Sequence, residues 1–269
     1  MKNSPLIWIT GASSGIGEAL THAYVKQGAR LIISARRESE LERVKNACSG
    51  NTENIYVLPI DLENYSQAEI WYQEAREKVG VPDILINNGG IGHLGTALEM
   101  EMAVEQKVMD INFWGSVSLT KAVLPDMIKR RSGKVVAMSS LLGHYGTANL
   151  AIYAASKHAV LGYFESVREE LLSTGVDFLL VSPGFVNTNV TLNSLTEKGD
   201  KLNRNSIAQE QGMDPAKFAE KLISAIKSNK KYAYIGGKEM LAIPFKRSAP
   251  NLFYKTYRWL ASRANKAKD

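Results

Sequence analysis

The feature that most restricts what this chain can fold into is a regular alternation of short apolar runs with longer helical patterns. The apolar runs fall at Leu6–Thr10, Leu31–Ala35, Ile55–Ile60, Ile84–Asn87, Lys134–Ser139, Asp177–Ser182 and Tyr232–Ile235. They are rich in Val, Ile and Leu without polar alternation, as expected of strands covered on both faces. Helical patterns separate them, at Ile16–Gln27, Glu38–Cys48, Tyr65–Val79, Met102–Lys129, Tyr153–Ser173 and Pro215–Ser228. Repeated βα units predict an α/β fold, a doubly wound sheet of about seven parallel strands with helices on both faces. A single domain of that kind can absorb the 269 residues. We expect it to span residues 1–236, followed by a basic amphipathic helical tail at 237–269.

Charge is unevenly placed along this frame. The whole chain has 33 Lys+Arg and 27 Asp+Glu, yet 11 of the basic and only 2 of the acidic residues lie from Lys227 onward. A slightly acidic body argues against a nucleic-acid groove, and leaves a membrane surface or an acidic partner open for the tail. The single cysteine, Cys48, excludes a disulfide framework and suits a reducing compartment. The first residues run straight into a strand without a signal-peptide core, and no apolar run reaches the roughly 18 residues of a spanning helix. A soluble, cytoplasmic chain is the default expectation.

The first strand ends in Thr10-Gly11-Ala12-Ser13-Ser14-Gly15-Ile16-Gly17, and a helix begins at once. Glycines at a strand-to-helix turn let backbone approach a pyrophosphate, and the helix N-terminus offers free N–H groups and a positive dipole end. An ordinary tight turn would look similar in isolation; its place at the end of the first strand of a Rossmann-like series favours the nucleotide reading. At the end of the second strand, 18 residues beyond Gly17, stands Ala35, followed by Arg36 and Arg37. No acid is there to bond a ribose 2′-hydroxyl, and two guanidiniums could hold a 2′-phosphate. This favours NADP(H); the alternative is two solvated arginines opening the next helix.

Tyr153 and Lys157 stand four residues apart at the start of a helical segment, on one face. A nearby cation favours phenolate and brings a tyrosine towards general acid–base work on a carbonyl or an alcohol. Thirteen residues before Tyr153, at a strand's carboxyl end, Ser140 could hydrogen-bond a substrate carbonyl. Its neighbour Ser139 should point elsewhere and serve structure.

In this order, Thr10–Gly17, Asn87-Asn88-Gly89-Gly90, Asn112, Ser140, Tyr153 with Lys157, and Pro183-Gly184 resemble the short-chain dehydrogenases/reductases, over roughly residues 5–235. Gly89 departs from the family's usual Ala, which should loosen that turn slightly without loss of function. The strings Ile91–Thr96, Met127–Arg131, Ala154–Ala159 and Ser248–Phe253 are similar to the dehydrogenase/reductase member 7 and 7B branch, whose members carry an N-terminal membrane anchor. The resemblance implies Tyr153 as proton donor and acceptor, with Lys157 holding the nicotinamide ribose and lowering the Tyr153 pKa. It implies Ser140 positioning the carbonyl and Asn112 anchoring a water. Gly11, Ser13, Ser14, Gly15, Ile16 and Gly17 would cradle the pyrophosphate, Asp61 and Leu62 contact adenine, and Asn88 and Gly89 lie along the adenosine ribose. Pro183, Gly184, Val186 and Thr188 would hold the nicotinamide. Homodimers or homotetramers pairing through Met102–Lys129 and Tyr153–Ser173 are also implied.

The expected activity is NADP(H)-dependent interconversion of a small-molecule carbonyl and a secondary alcohol. Two rivals are a nucleotide-binding interaction protein without turnover, and a membrane-associated lipid or sterol reductase. The polar stretch 187–212 should form a mobile substrate lid. His93, His144 and Tyr145 fall near strand ends, as pocket or plain loop residues, and none has metal-ligand spacing. In the tail, Phe253, Tyr257, Leu260 and Ala264 recur at helical spacing, with Lys255, Arg258, Ser262 and Lys266 on other faces. That stripe either packs on protein or rests on an anionic membrane.

Overall fold

The structure, a computed structural model, describes residues 4–204, 206–228 and 230–266, with side chains through residue 260. β1 (Leu6–Thr10), α1 (Gly15–Lys26), β2 (Arg30–Ser34), α2 (Glu38–Ala47), β3 (Ile55–Val57), α3 (Ala68–Val79) and β4 (Ile84–Asn87) make the first half. The second half has α4 (Met102–Met109), α5 (Gly115–Lys129), β5 (Gly133–Met138), α6 (Ala151–Glu170) and β6 (Val176–Pro183). It continues with α7 (Ile207–Glu210), α8 (Pro215–Lys227), β7 (Tyr232–Ile235), α9 (Ala242–Ser248) and α10 (Pro250–Lys266).

The strands form one parallel sheet in the order β3-β2-β1-β4-β5-β6-β7. Strand order reverses between β1 and β4, and in such sheets ligands bind at that point, at the strands' carboxyl ends. Successive side chains of β1 feed opposite layers. Trp8 packs with Trp71, Tyr72, Val123 and Phe164. Ile7 and Ile9 pack on the other side with Leu20, Val25, Phe218 and Leu222. Each such side chain contributes about 1.5–3 kcal/mol on burial, and the Trp8 indole donates to the Ser34 hydroxyl at 2.9 Å, leaving no polar atom orphaned.

Three elements differ from the sequence reading. β3 stops at Val57 because Pro59 has no N–H, although Leu58 and Ile60 still donate to Ile33 and Ala35 at 3.1 Å. The expected helix 102–129 is interrupted by a π turn, Asp110–Trp114. The tail is helical in pieces: a 3₁₀ turn at Lys238–Leu241, then α9, then α10. Ala249, at φ −143° and ψ 66°, breaks the last two apart, because a residue before proline avoids the helical region. The side chains of Ser262, Ala264 and Lys266, and all of residues 267–269, lie outside the described residues.

Candidate active site

Gly11 at φ +66° and Gly15 at φ +58° turn the chain from β1 into α1. A Cβ on Gly17 would stand 2.2 Å from the Gly11 carbonyl oxygen, so no other residue closes this turn. The Thr10 hydroxyl accepts from the backbone N–H of Asn88 at 3.0 Å and of Gly89 at 2.9 Å. The Asn88 amide donates back to the Thr10 carbonyl at 2.9 Å. These bonds stitch β1 to β4 at the switch point, beneath the free N–H groups of the α1 N-terminus. Ser13, Ser14 and Ile16 line the same turn.

Arg43 of α2 belongs to this end as well. Its guanidinium donates to both Glu18 carboxylate oxygens, at 2.8 and 3.1 Å, and to the Ser13 carbonyl at 3.0 Å. Those bonds hold the Glu18 carboxyl below its ordinary value. No local pattern marks a pair separated by 25 residues. Arg36 and Arg37 follow β2 and are exposed. Asp61 caps the 3₁₀ turn Leu62–Gln67, its carboxylate accepting from Glu63 N–H at 3.2 Å. Leu62 lies under Gly89, where a Cβ would meet its Cδ1 at 2.5 Å.

The second cluster forms at the carboxyl ends of β4 and β5. Ser140 accepts from Leu142 N–H at 3.2 Å and hydrogen-bonds the Tyr153 phenol. Lys157, one turn further along α6, sets its Nζ 5.8 Å from the Tyr153 ring centre and donates to the Met138 carbonyl at 3.0 Å. Asn112 sits in the π turn, fully buried. Its side chain accepts from Ile91 N–H at 2.7 Å and donates to the Ile91 carbonyl at 2.9 Å and to Ser156 Oγ at 3.1 Å. Gly90 lets the three groups meet, since a Cβ there would lie 3.0 Å from Asn112 Oδ1 and 3.4 Å from Lys157 Nζ. Ser139 is structural, donating to the Lys157 carbonyl at 2.8 Å.

Burial dominates the electrostatics here. It raises the Tyr153 phenol above its ordinary value, and the bond from Ser140 only partly restrains it. Burial also pulls the Lys157 ammonium, which donates to the Met138 carbonyl, down to about 8. At neutral pH Tyr153 is a phenol, the proton-donating form.

On the substrate side, the Gly184 N–H donates to the Ile235 carbonyl at 2.9 Å. Thr188 rests on the glycine turn, its methyl 3.0 Å from where a Gly15 Cβ would be. Gln209 of α7 donates to the Val186 carbonyl and, at 3.2 Å, to Thr188 Oγ1; sequence reasoning missed it. The stretch 187–212 is tied at its middle: Leu94 N–H donates to Leu195 at 2.9 Å, Leu195 N–H to Gly92 at 3.0 Å, and Glu101 N–H to Glu197 at 3.1 Å. A cavity of about 320 Å³ lies between these segments, lined by Leu94, Thr96, Asn149, Glu197 and Arg204 among others. His93 is buried within the same contact, its Nδ1 unpartnered. His144 Nε2 lies 2.9 Å from Ser182 Oγ, and burial, with His158, Lys246 and Arg247 nearby, pushes the imidazole down to about 4. Among the described residues no cluster of His, Cys, Asp or Glu could hold a metal ion.

The tail docks beside this cluster. Phe253 is 5% exposed and meets the Tyr145 ring at 5.0 Å, while Leu260, two turns on, is 54% exposed. Met240, Ile243 and Phe245 pack on the same patch with Leu141 and Tyr145. Packing on the chain's own body thus accounts for the inner end of the stripe. Among the described residues no helix is long and apolar enough to cross a membrane.

Comparison with known proteins matches these two ends to one family. The short chain dehydrogenase family model matches residues 5–199. A dehydrogenase/reductase SDR family protein 7-like from Anopheles gambiae is 37% identical over 234 residues, covering 85% of this chain and 74% of its own. A mouse dehydrogenase/reductase SDR family member 7B is 32% identical over 273 residues, covering 100% of this chain and 83% of its own. A solved short-chain dehydrogenase from Streptomyces avermitilis superposes with a TM-score of 0.83 at 24% identity, over 97% of this chain and 98% of its own. Among solved chains of this fold, some hold NADP and others NAD. With its glycine turn, its Ser140–Tyr153–Lys157 cluster and relatives of this kind, the chain belongs to the short-chain dehydrogenase family, nearest the member 7 and 7B group, and is an oxidoreductase of the NAD(P)-dependent kind.

Proposed function

We propose that the protein interconverts a carbonyl and a secondary alcohol with NADP(H), Tyr153 moving the proton. The observation that carries this reading is Tyr153 hydrogen-bonded to Ser140 with Lys157 one turn along the same helix, at the carboxyl ends of the strands. The glycine turn fits a dinucleotide, because a closure this tight, which a Cβ on Gly17 would break against the Gly11 carbonyl, leaves the N–H groups of the α1 N-terminus to meet a pyrophosphate. When bound, the nicotinamide supplies or takes up the hydride at the substrate carbon.

The chain's own residues do the rest. The Ser140 hydroxyl donates to the carbonyl oxygen and holds it beside Tyr153. The Tyr153 phenol donates its proton to that oxygen as negative charge develops there. Lys157 would bond the ribose hydroxyls, and Asn112 keeps the Gly90–Ile91 backbone in register beneath it. Because burial raises Tyr153, the donating form dominates at neutral pH, and reduction is the direction this protonation state suits. Alcohol oxidation, which needs the phenolate, should rise with pH.

Arg36 and Arg37 support the NADP(H) preference: both are exposed beyond β2, whereas Arg43 is engaged by Glu18, Glu40 and Ser13. The test is a titration with NADPH and NADH followed by nicotinamide fluorescence. Joint Arg36→Ala and Arg37→Ala should weaken NADPH about 100-fold and NADH less than about threefold; equal losses defeat the 2′-phosphate reading. Tyr153→Phe should keep dinucleotide affinity and lose about 10³-fold in carbonyl reduction. Undiminished turnover leaves the mechanism without its acid.

The outer end of the tail favours a second reading, peripheral contact with an anionic membrane. Leu252 and Leu260 are exposed beside Lys255 and Arg258. Sedimentation with anionic liposomes, with and without residues 239–269, decides it; equal binding by the two forms removes the tail's part.

A further inference from the structure

The tail's one acidic residue among those described lies not on its surface but against the turn after β6. Glu239 Oε1 accepts from the Phe185 N–H at 3.1 Å and from the Gly237 N–H at 2.8 Å. The carboxylate thereby joins two segments 54 residues apart. The approach is close on both sides. A Cβ on Gly184 would stand 2.1 Å from Glu239 Oε1 and 3.0 Å from Met240 Sδ; one on Gly236 would stand 2.7 and 2.6 Å from the same two atoms. Glycine at each place makes room for this carboxylate and the thioether behind it. The Gly184 N–H is meanwhile held by Ile235, so the turn is fixed from the sheet on one side and from the tail on the other.

We infer that Glu239 is a positioning residue: through it the tail sets the Pro183–Val186 turn, and with it the nicotinamide end of the cofactor site. This rests on the reading, proposed above, that this turn meets the nicotinamide. The carboxylate acts as a charge-assisted acceptor for a backbone N–H that meets no other protein acceptor in an irregular turn. Losing it leaves this turn held only by the Gly184 N–H on Ile235 and by the Met213 N–H on the Phe185 carbonyl at 2.8 Å, while the glycine turn at the far end of the site keeps its own hydrogen bonds. The two ends of a bound dinucleotide should therefore respond differently to one substitution. Glu239 supplies no proton and touches no reacting atom in this account.

The experiment uses the full chain as wild type and as Glu239→Ala, Glu239→Asp and Glu239→Gln. Two affinities are measured for each: the dinucleotide that wild type binds better, NADPH or NADH, and the matching ADP-ribose fragment without nicotinamide. Glu239→Ala should weaken the dinucleotide about tenfold and change the fragment less than about twofold. Glu239→Gln keeps the acceptor oxygen and should restore most of the loss. A merely structural role would move both ligands together. If Glu239→Ala does not fold, Glu239→Asp, which retains the charge but draws the oxygen back by a methylene, reads the same ratio. No loss for the dinucleotide, or equal losses for both ligands, overturns the inference. Wild type binding neither ligand would instead strike the nucleotide reading itself.

Discussion

The glycine turn and the basic tail hold their places by opposite means. The turn is fixed by backbone against backbone within eight consecutive residues, where a single Cβ on Gly17 would collide with the Gly11 carbonyl. The tail is fixed by a few side chains reaching across the fold, Phe253 onto Tyr145 and Glu239 onto the Phe185 N–H. Steric closure tolerates no substitution and needs no partner. Side-chain docking is graded, and it fades along α10 from Phe253 to Leu260. The glycine turn is thus held rigidly by its own backbone, and the tail by contacts that loosen along its length.

The largest expected effect sharpens that contrast at its rigid side. Gly17→Ala should cost at least about 100-fold in dinucleotide affinity, because the obstructing atom is backbone. Gly89→Ala meets the tip of Leu62, which can swing away, and lies 3.3 Å or more from Thr10 Oγ1 and the Gly11 nitrogen, so it should cost less than about threefold in the same titration. Comparable losses at both positions would mean that crowding, not backbone closure, defines this end.

Next in size is the docking of the tail. Phe164 is fully buried in the main core, and Phe164→Ala should destabilise by about 3–5 kcal/mol in denaturant unfolding. Phe253→Ala removes a ring from a small satellite cluster beside the sheet and should cost about 1–2 kcal/mol. A loss equal to that of Phe164 would break the comparison and make the tail part of the core.

The last effect has the opposite sign. Lys157 pays for burial with its lowered pKa, so Lys157→Met should stabilise the fold by about 1–3 kcal/mol while abolishing turnover. The pH signature follows from the same shift. The folded group titrates near 8 against 10.5 unfolded, so the unfolded chain binds more protons between those values and stability rises with pH across them. His144, near 4 against 6.5, makes stability fall as pH drops from 6.5 towards 4. Thermal melts of the Lys157→Met variant should lose the alkaline rise and keep the acid fall.

What was legible in the sequence follows the same division. The strands were readable because burial on both faces leaves an unbroken apolar run, and β1, β4 and β7 lie where those runs lie. Thr10–Gly17 and Tyr153 with Lys157 were readable because their chemistry is local. The partners of Glu18, Thr188 and Phe185 were not: Arg43, Gln209 and Glu239 reach them from 25, 21 and 54 residues away, and no periodicity records such pairs. The raised Tyr153 was illegible for another reason. Spacing places a lysine beside it but says nothing of the burial that raises it. The tail's stripe from Phe253 onward was visible as a pattern and lies within α10; Pro250, also visible, is the residue that separates that helix from α9.

The π turn at Asp110–Trp114 sets the rotational phase between two halves of one long rod. One residue in excess of the α-helical repeat lets α5 present Val117 and Leu119 to the core while α4 turns Val104 towards Leu195. Removing a single residue there would let the rod rewind as plain α-helix and would rotate α4 by about 100° on its own axis. Val104 would swing away from the contact that ties the 187–212 stretch to the body, and Asn112 would leave the Ile91 backbone in the same motion. The length of that turn is therefore a gear between the Ser140–Tyr153–Lys157 cluster and the 187–212 segment.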